Sequence, residues 1–243
     1  MALPESGSRC RLLLWPRLVL FGDSITEYSF QENGWGTFLA ERLLRRCDVL
    51  NRGFSGYNSR WAKLLLPRLI AAGAGAESTA AVTLFFGAND SALEELNPKQ
   101  HVPLEEYAAN LKSMVHYLSS VGITEDRVLL ITPPPLGEAA WEKACLAKGE
   151  RLNRRNATTG EYAQACVQVA RACGTDVLDL WTLMQKEQDF SSYLSDGLHL
   201  SAEGSRFVAA QLWARLGEKL SALPSLVPYW RDVDHMDPEA TLL

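Results

Sequence analysis

Two short motifs near opposite ends of the chain carry the residue types of a hydrolytic site. Gly22-Asp23-Ser24-Ile25 directly follows an apolar run, and Asp196-Gly197-Leu198-His199 lies near the C-terminus. Serine is a weak nucleophile at neutral pH and needs a neighbouring imidazole to accept its proton. The imidazole in turn needs a carboxylate that fixes its tautomer and stabilises its charged form. Ser24, His199 and Asp196 are therefore the candidate nucleophile, general base and orienting acid.

Each motif alone also fits a structural role without chemistry. Glycine, aspartate and serine are common where a strand turns into a helix, and a histidine in a loop is commonly only solvated. The GxSxG elbow that holds the serine of α/β-hydrolases is absent from the chain. The catalytic interpretation therefore depends on the joint occurrence of these two motifs with two others.

Two further turns follow predicted strands and offer hydrogen-bond donors. The segment 51–56, Asn-Arg-Gly-Phe-Ser-Gly, ends in Gly56, whose bare backbone N–H can approach a ligand oxygen. The segment 87–90, Gly-Ala-Asn-Asp, contains Asn89, whose side-chain amide is a second candidate donor. An acyl-transfer site needs such donors aimed at the developing oxyanion. Both segments also fit plain tight turns, in which polar residues cap the element that follows.

Short apolar runs alternate with helix-patterned segments along the chain. The strand candidates are Arg17–Phe21, Asp48–Asn51, Ala81–Phe86, Arg127–Thr132 and Asp176–Leu180. Their nearly continuous apolarity is typical of strands buried on both faces of a parallel sheet. The alternation predicts βα crossovers and an α/β fold, a three-layer αβα sandwich. Ligands bind such sheets at the carboxyl ends of the strands, so the serine, glycine and asparagine motifs converge on one edge.

Helical periodicity appears in several segments between and after the strands. Apolar stripes begin at Trp35, Leu104 and Tyr162, and Ser201 can cap a final helix. From about residue 224 the periodicity is lost, which predicts an irregular tail in which Tyr229 and the adjacent Trp230 dock on the body. No linker or repeat is visible, so residues 1–243 are expected to form a single domain.

Composition excludes several classes of function. The chain has 243 residues, is 47% hydrophobic and carries a net charge of −5, which gives no reason to expect a nucleic-acid partner. No apolar run reaches the length of about 18 residues that a membrane span needs. The apolar stretch beginning at Leu12 is short and broken, and cleavage there would damage the serine motif, so we expect no signal peptide.

Cysteine and histidine usage bears on compartment and on metal binding. The five cysteines are scattered and lack CxxC spacing, which favours reduced thiols in a cytoplasmic protein; they stand at positions Cys10, Cys47, Cys145, Cys166 and Cys173. No HExxH motif or Cys/His cluster is present, so we expect neither a metal nor a cofactor.

The four motifs, taken in order, resemble the four blocks of the GDSL or SGNH hydrolase superfamily. The matching residues are Ser24 in GDS, Gly56 in NRGFSG, Asn89 in GAND and His199 in DGLH. More narrowly, FGDSIT, NRGFSGYN, FFGANDS and LSDGLHLS are similar to segments of the eukaryotic isoamyl acetate-hydrolysing esterase homologues. The resemblance implies the SGNH hydrolase fold with a five-stranded, parallel, flavodoxin-like sheet. It also implies a Ser–His–Asp site with Asp196 as the orienting acid.

The resemblance further implies a metal-free esterase or lipase whose oxyanion hole combines the Ser24 N–H, the Gly56 N–H and the Asn89 side chain. The leading hypothesis is hydrolysis of short-chain esters, acetates foremost. An acyl-lipid hydrolase or thioesterase is the first alternative, which exposed apolar loops near the site would favour. A catalytically silent scaffold is the second alternative, and failure to react with a fluorophosphonate would favour it. The expected partner is a small ester or a lipid, and the sequence gives no oligomeric state.

Overall fold

The computed structural model describes residues 13–187 and 189–242, without the side chain of residue 74. Cys10 and Leu12 lie outside the described residues. The core is a five-stranded parallel sheet in the order β2-β1-β3-β4-β5. The strands are β1 (Arg17–Gly22), β2 (Asp48–Gly53), β3 (Thr79–Phe85), β4 (Val128–Ile131) and β5 (Asp176–Leu178). This topology confirms the predicted flavodoxin-like α/β fold.

Helices cover both faces of the sheet. They are α1 (Ser24–Glu27), α2 (Trp35–Arg42), α3 (Ser59–Leu69), α4 (Ala74–Glu77), α5 (Leu104–Ser120), α6 (Glu138–Ala147), α7 (Asn156–Cys173), α8 (Leu180–Gln185), α9 (Ala202–Ser221) and α10 (Pro238–Leu242). Short 3₁₀ turns span Tyr28–Phe30, Glu125–Arg127, Phe190–Tyr193 and Trp230–Asp232. As predicted, Ser201 caps α9, because its Oγ accepts a hydrogen bond from the Gly204 N–H at 3.1 Å.

Alternating strand residues divide the interior into two hydrophobic cores. In β1, Leu18 and Leu20 pack with α2, α6, α8 and α9, whereas Val19 and Phe21 pack with α3, α5 and α7. The three central strands follow the same rule, because successive side chains of a strand point to opposite faces. Their apolar character on both faces is the pattern that a doubly covered parallel sheet requires.

The two edge strands depart from the expectation of full burial. Asp48 and Asp176, the first residues of β2 and β5, are exposed, and β2 is only half-buried elsewhere. An edge strand has a neighbour on one side only, so part of its surface stays in contact with water. β5 is also shorter than predicted, because Asp179 caps α8 by accepting a hydrogen bond from the Thr182 N–H.

The C-terminal tail lies at the end of the sheet opposite the serine motif. Arg45, which precedes β2, donates hydrogen bonds to the carbonyl oxygens of Val227 and Pro228. Its guanidinium lies 5.8 Å from the centre of the Tyr229 ring. Trp230 is 67% exposed, so the tail docks through Arg45 and not through this indole.

Candidate active site

Ser24 begins α1 at the point where β1 ends. β1 ends at Gly22, and Asp23 caps the helix by accepting a hydrogen bond from the Ile25 N–H at 3.0 Å. Gly22 leaves no room for a side chain, since a Cβ there would lie 2.1 Å from Thr26 Oγ1. This tight turn places Ser24 at the carboxyl edge of the sheet, where 8% of the residue is exposed.

The serine, the histidine and the aspartate form one chain of hydrogen bonds. Ser24 Oγ lies 3.0 Å from His199 Nε2, and His199 Nδ1 lies 2.8 Å from Asp196 Oδ2. The other oxygen of Asp196 accepts hydrogen bonds from the backbone N–H groups of Leu198 and His199 at 2.9 and 2.8 Å. The carboxylate therefore holds both the imidazole and the turn that carries it.

Asp196 is a strong acid in this environment. Burial would raise its pKa, but the hydrogen bonds from the His199 side chain and from the two backbone N–H groups outweigh burial and lower the pKa to about 2. The carboxylate is therefore ionised at neutral pH and down to about pH 4. An ionised carboxylate at Nδ1 fixes the tautomer in which Nε2 can accept a proton.

A glycine turn sets the DGLH loop against the start of α6. Gly197 has a φ of +91° and accepts a hydrogen bond from the Gly137 N–H at 2.8 Å. A Cβ at position 197 would lie 2.4 Å from the Gly137 carbonyl oxygen. Only glycine satisfies both the positive φ and this close approach.

Gly56 and Asn89 reach the same cleft as Ser24 from the two neighbouring strands. Gly56 lies in the turn after β2 with a φ of +79°, a conformation that favours glycine. Asn89 follows β3 and is 4% exposed; its Nδ2 donates a hydrogen bond to the Tyr57 carbonyl oxygen at 2.8 Å. A side-chain amide nitrogen carries two hydrogens, so the hydrogen bond to Tyr57 leaves one of them unused.

Polar side chains tie the Gly56 turn to the helix that carries the serine. Glu27, in α1, accepts a hydrogen bond from the Ser55 N–H at 2.6 Å. Asn51 donates from Nδ2 to the Thr26 and Glu27 carbonyl oxygens, both at 3.0 Å. Its Oδ1 accepts a hydrogen bond from the Gly53 N–H at 2.8 Å. The nucleophile and the glycine turn are thus fixed relative to each other.

Two residues at the site have no counterpart in the sequence-based predictions. Arg154 is 2% exposed and donates to Asn89 Oδ1 at 2.9 Å, and Gln100 Nε2 donates to the Gly56 carbonyl oxygen at 3.2 Å. Arg154 stands in the irregular segment between α6 and α7, next to the exposed Arg155. Neither the residue spacing nor the composition of this segment indicates that Arg154 is buried while Arg155 is exposed.

Two buried carboxyl groups lie in the turns that carry Ser24 and Asn89, namely Asp23 and Asp90. Burial raises the pKa of Asp23 to about 7 despite the hydrogen bond from Ile25, and it raises the pKa of Asp90 to about 6 despite the hydrogen bonds from Ser59. Asp90 Oδ1 accepts from the Ser59 N–H at 2.9 Å, which links the GAND turn to α3. In the described part of the chain, Oδ2 of each carboxyl group has no hydrogen-bond partner.

The cleft beside Ser24 has a volume of about 620 Å³ and is open to solvent. Amide and charged side chains line part of it, namely Asn97, Lys99, Gln100, Lys148, Glu150 and Asn153, and the aromatic or apolar residues Tyr28, Tyr57, Trp61, Trp141 and Leu198 line another part. A second cavity of about 290 Å³ adjoins the cleft and shares Tyr28 and His199 with it. The site is therefore an open cleft with a mixed polar and aromatic lining, and not a long apolar tunnel.

Most aromatic residues that would favour a lipid substrate are buried or remote, whereas Tyr28, which lines the cleft, is 39% exposed. Trp35 is 1% exposed, and Trp141, which lines the cleft, is 6% exposed, so neither presents an extended apolar surface. Phe54 is half-buried against Tyr57, with ring centres 5.2 Å apart. The exposed Trp230 belongs to the tail at the opposite end of the sheet.

Within the described residues, no group of three or more His, Cys, Asp or Glu side chains is arranged to hold a metal ion. Over the same ranges, no helix combines the length and the apolarity that crossing a bilayer would require.

Comparison with known proteins places these features in a family. Residues 20–207 match the model of the GDSL-like lipase/acylhydrolase family. The chain is 65% identical, over 243 residues, to the human isoamyl acetate-hydrolyzing esterase 1 homolog, with 100% of this chain and 98% of the relative covered. It is 42% identical to an Arabidopsis thaliana GDSL esterase/lipase over 91% of this chain and 95% of the relative.

Solved structures share the fold. A lipase/acylhydrolase from Enterococcus faecalis aligns with a TM-score of 0.66 and 24% identity, covering 88% of this chain and 100% of that one. An acetylxylan esterase variant from Geobacillus stearothermophilus aligns with a TM-score of 0.61 and 20% identity, covering 88% and 97%. The predicted resemblance is confirmed by the family match and by the full-length relatives. The chain belongs to the GDSL-like lipase/acylhydrolase family and is a serine hydrolase of carboxylic esters.

Proposed function

We propose that this enzyme hydrolyses short-chain carboxylic esters, acetates foremost, through an acyl-enzyme formed on Ser24. The observation that carries the proposal is the continuous hydrogen-bonded chain from Ser24 Oγ through both nitrogens of His199 to Asp196. Its distances of 3.0 and 2.8 Å are those over which a base can take the proton of a nucleophile.

In the proposed acylation step, His199 Nε2 accepts the Ser24 proton as Oγ forms a bond to the ester carbonyl carbon. The carbonyl electron pair moves onto its oxygen, and Asp196 stabilises the imidazolium that results. Collapse of the tetrahedral intermediate breaks the bond to the alcohol oxygen, which takes the proton from Nε2. Water then repeats the sequence on the acyl-serine, releasing the acid and restoring the Ser24 hydroxyl.

The proposed oxyanion hole consists of the Ser24 N–H, the Gly56 N–H and the free Nδ2 hydrogen of Asn89. Three observations support it: Ser24 starts a helix, Gly56 holds a positive φ, and Asn89 keeps one amide hydrogen unused by Tyr57. Donors fixed in advance at the site of developing charge contribute the largest single term in many acyl-transfer enzymes.

The acetate preference rests on the shape of the cleft and on the relatives. An open cleft in which charged and amide groups alternate with aromatic side chains offers no continuous apolar channel to a long acyl chain. The mammalian relatives are named for the hydrolysis of isoamyl acetate, and the Geobacillus structural neighbour is named as an acetylxylan esterase. An acyl-lipid hydrolase would need a continuous apolar surface near Ser24, whereas the lining of this cleft includes Lys99, Lys148 and Glu150.

The proposed location is the cytoplasm. Among the described residues, Cys47, Cys145, Cys166 and Cys173 are free thiols, and the first three are buried. Reduced cysteines favour a reducing compartment. Imaging of the tagged protein together with compartment markers checks this assignment, and concentration in the secretory pathway would contradict it.

The experiment that tests the proposal measures kcat/KM for aryl esters of increasing acyl length with the wild type and the Ser24→Ala variant. We expect the highest kcat/KM for the acetate and loss of turnover in Ser24→Ala. Ser113→Ala is the matched control, because Ser113 is an exposed serine of α5 whose hydroxyl donates to the Ala109 carbonyl oxygen. Retained turnover in Ser24→Ala would overturn the nucleophile, and an optimum at long acyl chains would favour the lipid hydrolase instead.

A further inference from the structure

Arg154 is a buried cation beside the proposed oxyanion hole. It is 2% exposed, and its guanidinium stacks at 5.3 Å from the centre of the Trp141 ring, which also closes one side of the cleft. Burial lowers its pKa to about 10, so the guanidinium remains charged at neutral pH. A buried charge is costly unless the surrounding groups compensate it, so the partners of Arg154 indicate what it does.

Every hydrogen bond of Arg154 goes to a neutral oxygen. Nε donates to the Ala88 carbonyl at 2.8 Å, and Nη1 donates to Asn153 Oδ1 at 2.8 Å. Nη2 donates to Asn89 Oδ1 at 2.9 Å and to Gln100 Oε1 at 2.8 Å. None of the ion pairs in the described ranges includes Arg154. The donors thus converge on the GAND turn and its neighbours, which leaves the guanidinium little capacity to bind an anionic substrate.

The contact with Asn89 determines which way its amide faces. The oxygen and nitrogen of an asparagine amide are nearly equal in size, so packing alone does not orient them. Arginine only donates hydrogen bonds. A flipped Asn89 would aim its NH₂ group at Nη2 and lose a charge-assisted hydrogen bond. With Oδ1 held by Arg154, Nδ2 is the atom that donates to the Tyr57 carbonyl oxygen, and Asn89 lines the cleft.

The same guanidinium reaches the second proposed donor through one intermediate residue. Gln100 accepts from Arg154 at Oε1, and its Nε2 donates to the Gly56 carbonyl oxygen at 3.2 Å. The orientation of the Gln100 amide is fixed by the same argument, because Nη2 must meet an oxygen. Asn89 and Gly56, which follow different strands, are therefore connected to a single side chain.

We propose that Arg154 is the positioning residue of the oxyanion hole, which fixes the Asn89 amide with its donor toward the substrate and supports the Gly56 turn through Gln100. The proposal rests on the function proposed above. Arg154 does not touch the reacting atoms. Its loss should therefore act on transition-state stabilisation through Asn89, so that kcat falls while KM changes little.

A double-mutant cycle between Arg154→Met and Asn89→Ala tests this role with an aryl acetate. Asn89→Ala alone should lower kcat by about 10²–10³-fold, as removal of one oxyanion donor does. Arg154→Met alone should lower kcat by at least ~10-fold and change KM by no more than ~3-fold. In the Asn89→Ala background, the loss of kcat caused by Arg154→Met should be at least ~10-fold smaller. Equal losses in both backgrounds would overturn the proposal, because Arg154 would then act independently of Asn89.

Two further variants separate positioning from general destabilisation. Arg154→Lys keeps the charge, but one ammonium cannot reach at once the oxygens of Ala88, Asn153, Asn89 and Gln100 that the planar guanidinium holds through three nitrogens. We expect this variant to fold and to lose at least ~10-fold in kcat. Arg155→Met is the matched control, because Arg155 is 54% exposed and pairs with Glu138; its kcat should be unchanged. Wild-type kcat in Arg154→Lys would overturn the inference. If Asn89→Ala itself retains full kcat, the oxyanion assignment fails instead, so the two failures are distinguishable.

Discussion

At the residue scale, the proposed reaction depends on one carboxylate that stays ionised. Asp196 accepts three hydrogen bonds, two of them from backbone N–H groups of its own turn. Its pKa of about 2 means that its titration adds no step to a kcat/KM profile above about pH 4. The electrostatic support for the His199 imidazolium is therefore constant over the working pH range.

Asp196→Asn tests that support directly. An asparagine keeps the shape but removes the charge, and it can hold the imidazole in the wrong tautomer. We expect kcat/KM to fall by up to about 10⁴-fold over the pH profile, as for other triad aspartates. Activity near that of the wild type would reduce the site to a Ser24–His199 dyad and would remove Asp196 from the mechanism.

Asp23 allows a pH-dependent prediction of stability. Its pKa rises from 3.8 in the unfolded reference to about 7 when folded, so the folded state binds a proton that the unfolded chain releases. The contribution of Asp23 to the free energy of unfolding is then fully present below about pH 4 and is lost as the pH rises toward 7. The total loss is roughly 4 kcal/mol at most.

Chemical denaturation of the wild type and of Asp23→Asn at several pH values checks this expectation. The difference between the free energies of unfolding, wild type minus variant, should decrease from about pH 4 to about pH 7. Asp48→Asn, at an exposed position of β2, controls for the loss of one negative charge. A difference that does not vary with pH would mean that Asp23 is ionised in the folded protein.

At the element scale, tight turns at the ends of β1, β2 and β3 place the three motifs on one edge of the sheet. This convergence was predictable from the sequence, because glycine-containing turns follow apolar strands of a parallel sheet. The exposure of the edge strands was not predictable from apolarity alone, because it depends on the strand order. The contacts of Arg154 and Glu27 were not predictable either, because they join irregular segments that have no periodicity.

Gly56→Ala tests the turn after β2. A Cβ there would meet only Gln100 Nε2, at 3.4 Å, so the substitution fits sterically, but the φ of +79° is strained for alanine. We expect a stability loss of about 1 kcal/mol together with a clear loss of kcat, because a shift of the turn moves the Gly56 N–H.

Gly73→Ala is the matched control for that turn. Gly73 has a φ of +91° and open space around it, so the backbone strain is of the same kind. The two variants should lose similar amounts of stability, measured by thermal unfolding, whereas only Gly56→Ala should lose kcat. Equal kcat values for the two variants would argue against a donor at Gly56.

At the scale of the whole molecule, the sheet separates the reaction from the C-terminal tail. Arg45 fastens the tail before β2 begins, whereas Gly56 follows the residue at which β2 ends. We expect removal of residues 224–243 to lower the melting temperature and to leave kcat/KM within about twofold, because no catalytic group is touched. Assays at a temperature at which both proteins are folded check this, and a large loss of kcat/KM would place the tail in the site.

The central claim is that Ser24 is the residue that attacks the ester. Reaction with a fluorophosphonate, followed by proteolysis and mass spectrometry, identifies the nucleophile because the reagent is trapped on the oxygen that attacks it. We predict the adduct on Ser24, slower labelling in Asp196→Asn and no labelling in Ser24→Ala. An adduct on any other residue, or no adduct on protein that still hydrolyses aryl acetates, would contradict the account.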